Sequence, residues 1–157
     1  MLYYNVQQIK EFNYNGVRIT QANYNGVQIY TSEESITPTW ELTGSGWVTT
    51  TWGSWSVGRN EGDLLLGIAE TTIQTGGHSK LRFTPTGEGW KTGRANGAIR
   101  ILINGTQKFS LGAEAARTEA VEIDLTGYSG SIAVRVELQA DWGYTSMNNA
   151  TALTLHD

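Results

Sequence analysis

The chain has no cysteine. That excludes a disulfide scaffold and any thiolate chemistry. Small secreted domains often lean on disulfides, so the absence favours folding in a reducing cytoplasm. Charge is also scarce, at 17% of residues against a usual ~25%. The 11 lysines and arginines are scattered and the net charge is −4, which argues against a nucleic-acid footprint, since that needs a clustered basic face. The start, Met1-Leu2-Tyr3-Tyr4-Asn5, lacks a basic segment followed by an apolar one, and no long apolar run follows. Neither a signal peptide nor a membrane span is expected. Proline is low at 2 and glycine high at 19. With abundant Ser, Thr and Asn, this is a β-rich, turn-rich composition.

Catalytic constellations are missing too. The two histidines, His78 and His156, are far apart and lack companions at metal-ligand spacing. Gly76-Gly77-His78-Ser79 reads as a turn with His78 exposed. Gly44-Ser45-Gly46 is too short for a nucleophile elbow, and the glycine-rich stretches lack a phosphate-cradle pattern. The acids Glu33, Glu34, Glu41, Glu61, Asp63 and Asp141 are scattered. Glycoside hydrolysis needs two carboxyls at a defined separation across a cleft. The reading is therefore that the protein is not an enzyme, with no catalytic residue to name.

What the chain does have is a repeat. Asn13-Tyr14-Asn15-Gly16-Val17 recurs ten residues on as Asn23-Tyr24-Asn25-Gly26-Val27, and Tyr4-Asn5-Val6 is a fainter copy. Asn and Gly tolerate positive φ, so Asn15-Gly16 and Asn25-Gly26 between aromatic and β-branched residues predict hairpin turns. Residues 1–30 form the repeat region, a ribbon of hairpins. Under simple two-residue turns, Phe12, Tyr14, Val17 and Ile19 share one face, while Ala22, Tyr24, Val27 and Ile29 fall on the other. Either both faces are covered or bulges reset the register. Such a ribbon cannot bury enough apolar surface alone, so it calls for a partner, either further copies of itself or a larger assembly.

Residues 31–38 are polar, end in Pro38 and read as a linker. From 39 to 157 the chain reads as strands. Trp47–Trp52 is β-branched and aromatic, and Leu64-Leu65-Leu66-Gly67-Ile68 is a buried run. Lys80–Thr84, Ala98–Ile103, Ala120–Leu125 and Ser131–Leu138 alternate with period 2, and Ala150–Leu155 closes the chain. Alternation with regular turn signals argues for an antiparallel sandwich. Only Gly112–Ala120 looks briefly helical. At Asn104-Gly105, a bulge is needed to return Phe109 and Leu111 to the face of Ile99, Ile101 and Ile103. A type I turn with Gly105 as a left-handed bulge residue supplies one.

Several segments carry a resemblance: Trp40-Glu41-Leu42-Thr43-Gly44-Ser45-Gly46-Trp47, Ile99–Thr106, Val121–Gly130 leading into Ile132–Val136, and Ala152–Leu155. Through them the region from about Trp40 to Asp157 resembles carbohydrate-binding jelly rolls of the galactose-binding-like kind. Residues 1–30 are similar to the Tyr-Asn-Gly-Val modules that open many bacteriophage and prophage tail or virion proteins. Together they imply an all-β fold, an N-terminal β-hairpin ribbon followed by an antiparallel jelly-roll β-sandwich. The implied function is a non-enzymatic virion structural protein, a tail-fibre, tail-tip or head-decoration component made in the host cytoplasm and resident in the virion. A free-standing carbohydrate-binding module is the alternative.

Residues 1–30 would then contact other virion proteins through Phe12, Tyr14, Val17, Ile19, Tyr24, Val27 and Ile29. The resemblance also implies a homotrimer or higher oligomer. Flat rings stack on sugar faces or anchor protein interfaces, so Trp52, Trp55, Trp90, Trp142 and Tyr144, in glycine-interrupted or loop-like stretches, are candidates for touching host-surface carbohydrate. Trp40 and Trp47 read as core. No cofactor is expected. Related jelly rolls often hold a structural Ca²⁺ between first and last strands, where Glu41 and Asp157 stand, but calcium takes six or more oxygens and no such cluster is visible.

Overall fold

Alternation in sequence becomes alternation in burial. In Ser131–Ala140, residues Ile132, Val134, Val136 and Leu138 are buried and the residues between them are partly or fully exposed. Val121–Asp124 and Leu65–Ala69 show the same period, as strands with one buried face must.

The computed structural model of the protein describes residues 12–14, 17–19, 21–24, 27–31, 33–45, 47–49, 53–59 and 64–157, with the backbone alone described for 12–31, 47–49 and 59. The strands, in chain order, are β1 (Phe12–Tyr14), β2 (Val17–Ile19), β3 (Gln21–Tyr24), β4 (Val27–Thr31), β5 (Glu34–Ile36), β6 (Glu41–Gly44), β7 (Trp47–Thr49), β8 (Trp55–Arg59), β9 (Leu65–Gln74), β10 (Lys80–Phe83), β11 (Trp90–Lys91), β12 (Ala98–Ile103), β13 (Thr106–Leu111), β14 (Ala116–Arg117), β15 (Val121–Asp124), β16 (Ser131–Ala140), β17 (Gly143–Met147) and β18 (Leu153–His156). Their pairings are antiparallel, and no helix occurs among the described residues.

The front sheet has the order β13-β12-β16-β9-β6. Two back sheets, β15-β10-β18-β5 and β14-β11-β17-β8-β7, complete the sandwich. The chain moves between sheets at nearly every step: β9 in front, β10 and β11 behind, β12 and β13 in front, β14 and β15 behind, β16 in front, β17 and β18 behind. Strands distant in sequence thereby become neighbours, which is a jelly-roll order. The inward side chains of all three sheets form one core. Ile99, Ile101, Ile103, Val134 and Val136 in front meet Leu81, Phe83, Ile123, Val57 and Met147 behind, all essentially inaccessible to solvent. Each such side chain contributes about 1.5–3 kcal/mol of transfer free energy.

The two repeats form separate two-stranded hairpins. In the first, Phe12 faces Ile19 and Tyr14 faces Val17. In the second, Tyr24 faces Val27, repeating that pair, but Ala22 faces Tyr30 and Asn23 faces Gln28. Ile29 is therefore an extra residue, a bulge that resets the register. The turn residues Asn15, Gly16, Asn25 and Gly26 lie outside the described residues.

Five local expectations need correction. Within 31–38, read as a linker, β5 pairs with β18, Ile36 packs on the core, and Glu33 meets Arg82 at 3.2 Å. The segment is an edge strand because β18 offers an unpaired side. Leu64 is exposed and Leu65 buried, so that run alternates rather than sinking whole. Gly112–Ala120 is a turn followed by the short strand β14, with Glu114 at φ +55°.

The Asn104-Gly105 turn has positive φ at both residues, +47° and +79°, so it is type I′ and not type I. The bulge is real but lies at Lys108, since Leu102 faces Gln107 and Ile101 faces Phe109. Phe109 and Leu111 do return to the isoleucine face and pack on the core. Finally, His78 is buried, not exposed. It fills the end of the core between Glu34, whose Oε2 lies 3.9 Å from Nε2, and Asp157, whose Oδ2 lies 3.7 Å from Nδ1.

Candidate functional site

The tryptophans divide sharply. Trp90 is 0% exposed. It stands edge-on between Phe83 and Phe109, at 6.0 and 5.9 Å, and its indole N–H donates to Asn148 O at 3.1 Å. The expectation that it lies in a sugar-facing loop is overturned. Although β11 is only two residues long, it is flanked by β14 and β17, and this alternation turns the ring inward. Trp55 is also buried and meets Trp40 edge-to-face at 4.8 Å. Trp55 is thus a core residue and not a sugar-facing one, and Trp40, expected in the core, is partly buried against it. Trp52 lies outside the described residues.

Trp142 and Tyr144 are different. They are 55% and 56% exposed. In β17, Thr145 and Met147 take the inner side, so Tyr144 falls outward, and Trp142, just before the left-handed Gly143, is exposed as well. Tyr144 faces Gly58 across β8, a residue with no side chain to lay over its ring.

Backbone locks hold this pair in place. Arg94 N–H donates to Trp142 O at 3.1 Å, an isolated antiparallel bridge. Gly93 N–H donates to the buried Thr145 hydroxyl at 3.0 Å, and that hydroxyl donates to Gln139 O at 2.7 Å. The loops approach so closely that a Cβ on Gly93 would lie 2.5 Å from Trp142 O, and one on Gly97 would collide with the Gly93 backbone. Glycine is required at both positions by space.

Asp141 ties the loops together. Its Oδ1 accepts from Trp142 N–H at 2.7 Å and Asn96 N–H at 3.3 Å, while Oδ2 accepts from the Asn96 amide at 2.7 Å. Burial pushes its carboxyl up, but the hydrogen bonds from Asn96 and Trp142 outweigh it and hold the value below the ordinary 3.8. Asp141 is therefore an ionised brace and is already fully engaged.

Beside Trp142 lies an open hollow of about 420 Å³, lined by Thr92, Gly93, Arg94, Trp142 and Gly143. A larger one, about 680 Å³, lies near the edge strand β6 and includes Pro38, Thr39, Glu41, Glu70 and Thr71. It has no aromatic wall, and Glu70 is paired with Arg135 at 3.2 Å. The smaller hollow has the better chemistry for recognition, because a ring and a cation converge on it.

The calcium candidates are not brought together. Glu41 faces Glu70 on β9, whereas Asp157 follows β18 in a back sheet and accepts from Ser79 N–H at 3.2 Å. Among the described residues no group of three metal-ligating side chains forms, and no helix is long and apolar enough to cross a membrane. The ribbon residues Phe12, Tyr14, Val17, Ile19, Tyr24, Val27 and Ile29 lie on or between paired strands, as the repeats imply. No protein-family model matches the chain, and no curated protein matches its sequence.

Proposed function

We propose that the protein is a non-enzymatic bacteriophage or prophage virion component, of the tail-fibre, tail-tip or head-decoration kind. Residues 1–30 attach it to other virion proteins and to further copies of itself, and the sandwich carries a platform that contacts surface glycans. The observation that carries the recognition half is the Trp142–Tyr144 pair. Two large rings are left in solvent on a backbone braced by Asp141, Gly93 and Thr145, while Trp55 and Trp90 are buried. Rings that are exposed yet rigid lose little entropy when they bind. The attachment half rests on the repeated hairpins, each with a Tyr facing a Val, which are too thin to be stable alone in water.

A free-standing carbohydrate-binding module is the second reading. It is favoured by a platform that owes nothing to the ribbon, since every lock lies between residues 92 and 145. Glycan-array binding by the intact protein, beside Trp142→Ala and Tyr144→Ala, tests the recognition half. Each substitution is expected to cost about 2 kcal/mol of binding with the melting temperature unchanged, because both rings face solvent. Full binding by both variants would remove the glycan role and leave a purely structural one.

A further inference from the structure

We infer that the hollow beside Trp142 takes a carboxylate-bearing sugar, a uronic-acid or sialic-acid type of residue, stacked on the indole with its carboxylate held by Arg94. The inference rests on the glycan-contact reading above and adds the ligand's charge.

It starts from the state of the guanidinium. Of the five arginine side chains described, four are engaged. Arg82 donates to Glu122 and Glu33, Arg100 to Gln139, Arg117 to the carbonyls of Glu119 and Ala120, and Arg135 to Glu137 and Glu70. Arg94 makes no side-chain hydrogen bond among the described residues. Its one ion-pair contact is Glu114 at 4.0 Å, with the two side chains 83% and 68% exposed. A pair that long and that exposed is worth little. Arg94 thus presents a fork of five donors to solvent.

Its position is fixed all the same. Opposed residues in an antiparallel bridge project to the same face with Cβ atoms ~4.5–5.5 Å apart. The Arg94–Trp142 bridge therefore sets the guanidinium and the indole on two sides of one hollow. The volume of about 420 Å³ suits a single sugar ring with its substituents. The neighbouring carboxylate of Asp141 does not compete, since its oxygens are taken by Asn96 and Trp142. A carboxylate fits the planar fork with two parallel hydrogen bonds. A neutral sugar would use the ring and leave the fork unspent.

Matched probes test this with the full chain. Oligogalacturonate is compared with its methyl ester, and sialyllactose with lactose, each by titration against the wild type, Arg94→Gln and Trp142→Ala. A sulfated oligosaccharide serves as a further arm. The expected result is tighter binding of at least one carboxylate probe than of its neutral partner by about tenfold or more. Arg94→Gln should erase that margin, and Trp142→Ala should abolish binding. A melt of each variant guards against misfolding, and the Arg94 side chain meets the fold only at Glu114, 4.0 Å away and exposed. Equal binding of charged and neutral partners, or a margin untouched by Arg94→Gln, would overturn the inference while leaving the glycan reading standing. Binding of the sulfated probe alone would overturn the carboxylate assignment. Binding of none would overturn both.

Discussion

At the scale of single residues, the chemistry around Trp90 and Trp142 shows how one residue type takes opposite roles. Trp90 is a core ring with its N–H satisfied by Asn148. Trp90→Ala should cost about 3–5 kcal/mol, read as a fall in the urea midpoint, and a loss under 1 kcal/mol would mean the ring is not packed as described. The sequence could not separate these two tryptophans. Both sit beside glycines, and burial is decided by strands β14 and β17, which lie far away in the chain. His78 is hidden for the same reason, because its turn is capped by Glu34 of β5 and Asp157 just past β18, neighbouring strands drawn from far away in the chain.

Asp141 carries a pH prediction. Its carboxyl is held below the ordinary 3.8 in the folded state. The stability it contributes is therefore fully present above about that value and is lost as pH falls through the lower folded value. Trp142 fluorescence should be constant from neutral pH to about 4 and change only in stronger acid. Asp141→Asn should remove that acid step. A transition near neutrality would show that another group braces the loops.

At the scale of elements, much was legible. Period-2 alternation gave β12, β15 and β16, and Asn104-Gly105 gave a hairpin whose bulge returns Phe109 to Ile101. The position of that bulge was not legible. Type I and type I′ turns both accept Asn-Gly, and the twist of the strands selects the primed form. Strand β5 was hidden because Glu34-Ser35-Ile36 is short and polar. It becomes a strand only where β18 leaves hydrogen-bonding groups open. This shifts the boundary of the folding unit. A chain spanning 33–157 should melt cooperatively. One spanning 38–157 loses Ile36 and the Glu33–Arg82 pair, and should be less stable by about 2 kcal/mol or more. Identical melts would show that β5 adds nothing to the sandwich.

At the scale of the whole molecule, the account is a division of labour. Residues 33–157 close one core from three sheets and hold the Trp142 platform without help. In the proposed reading the hairpins within residues 12–31, each with a Tyr facing a Val, are covered by other chains. The sandwich could be read from alternation. The platform could not be read beyond a list of aromatics, because backbone approaches such as Gly93 to Trp142 leave no pattern in a single sequence. Light scattering of the intact chain beside a 33–157 chain, over a range of concentrations, tests this division directly. The account predicts a trimer or larger assembly for the intact chain and a monomer for 33–157, with the same cooperative melt of the sandwich. An intact chain that stays monomeric at high concentration, or a 33–157 chain that assembles just as the whole does, would contradict it.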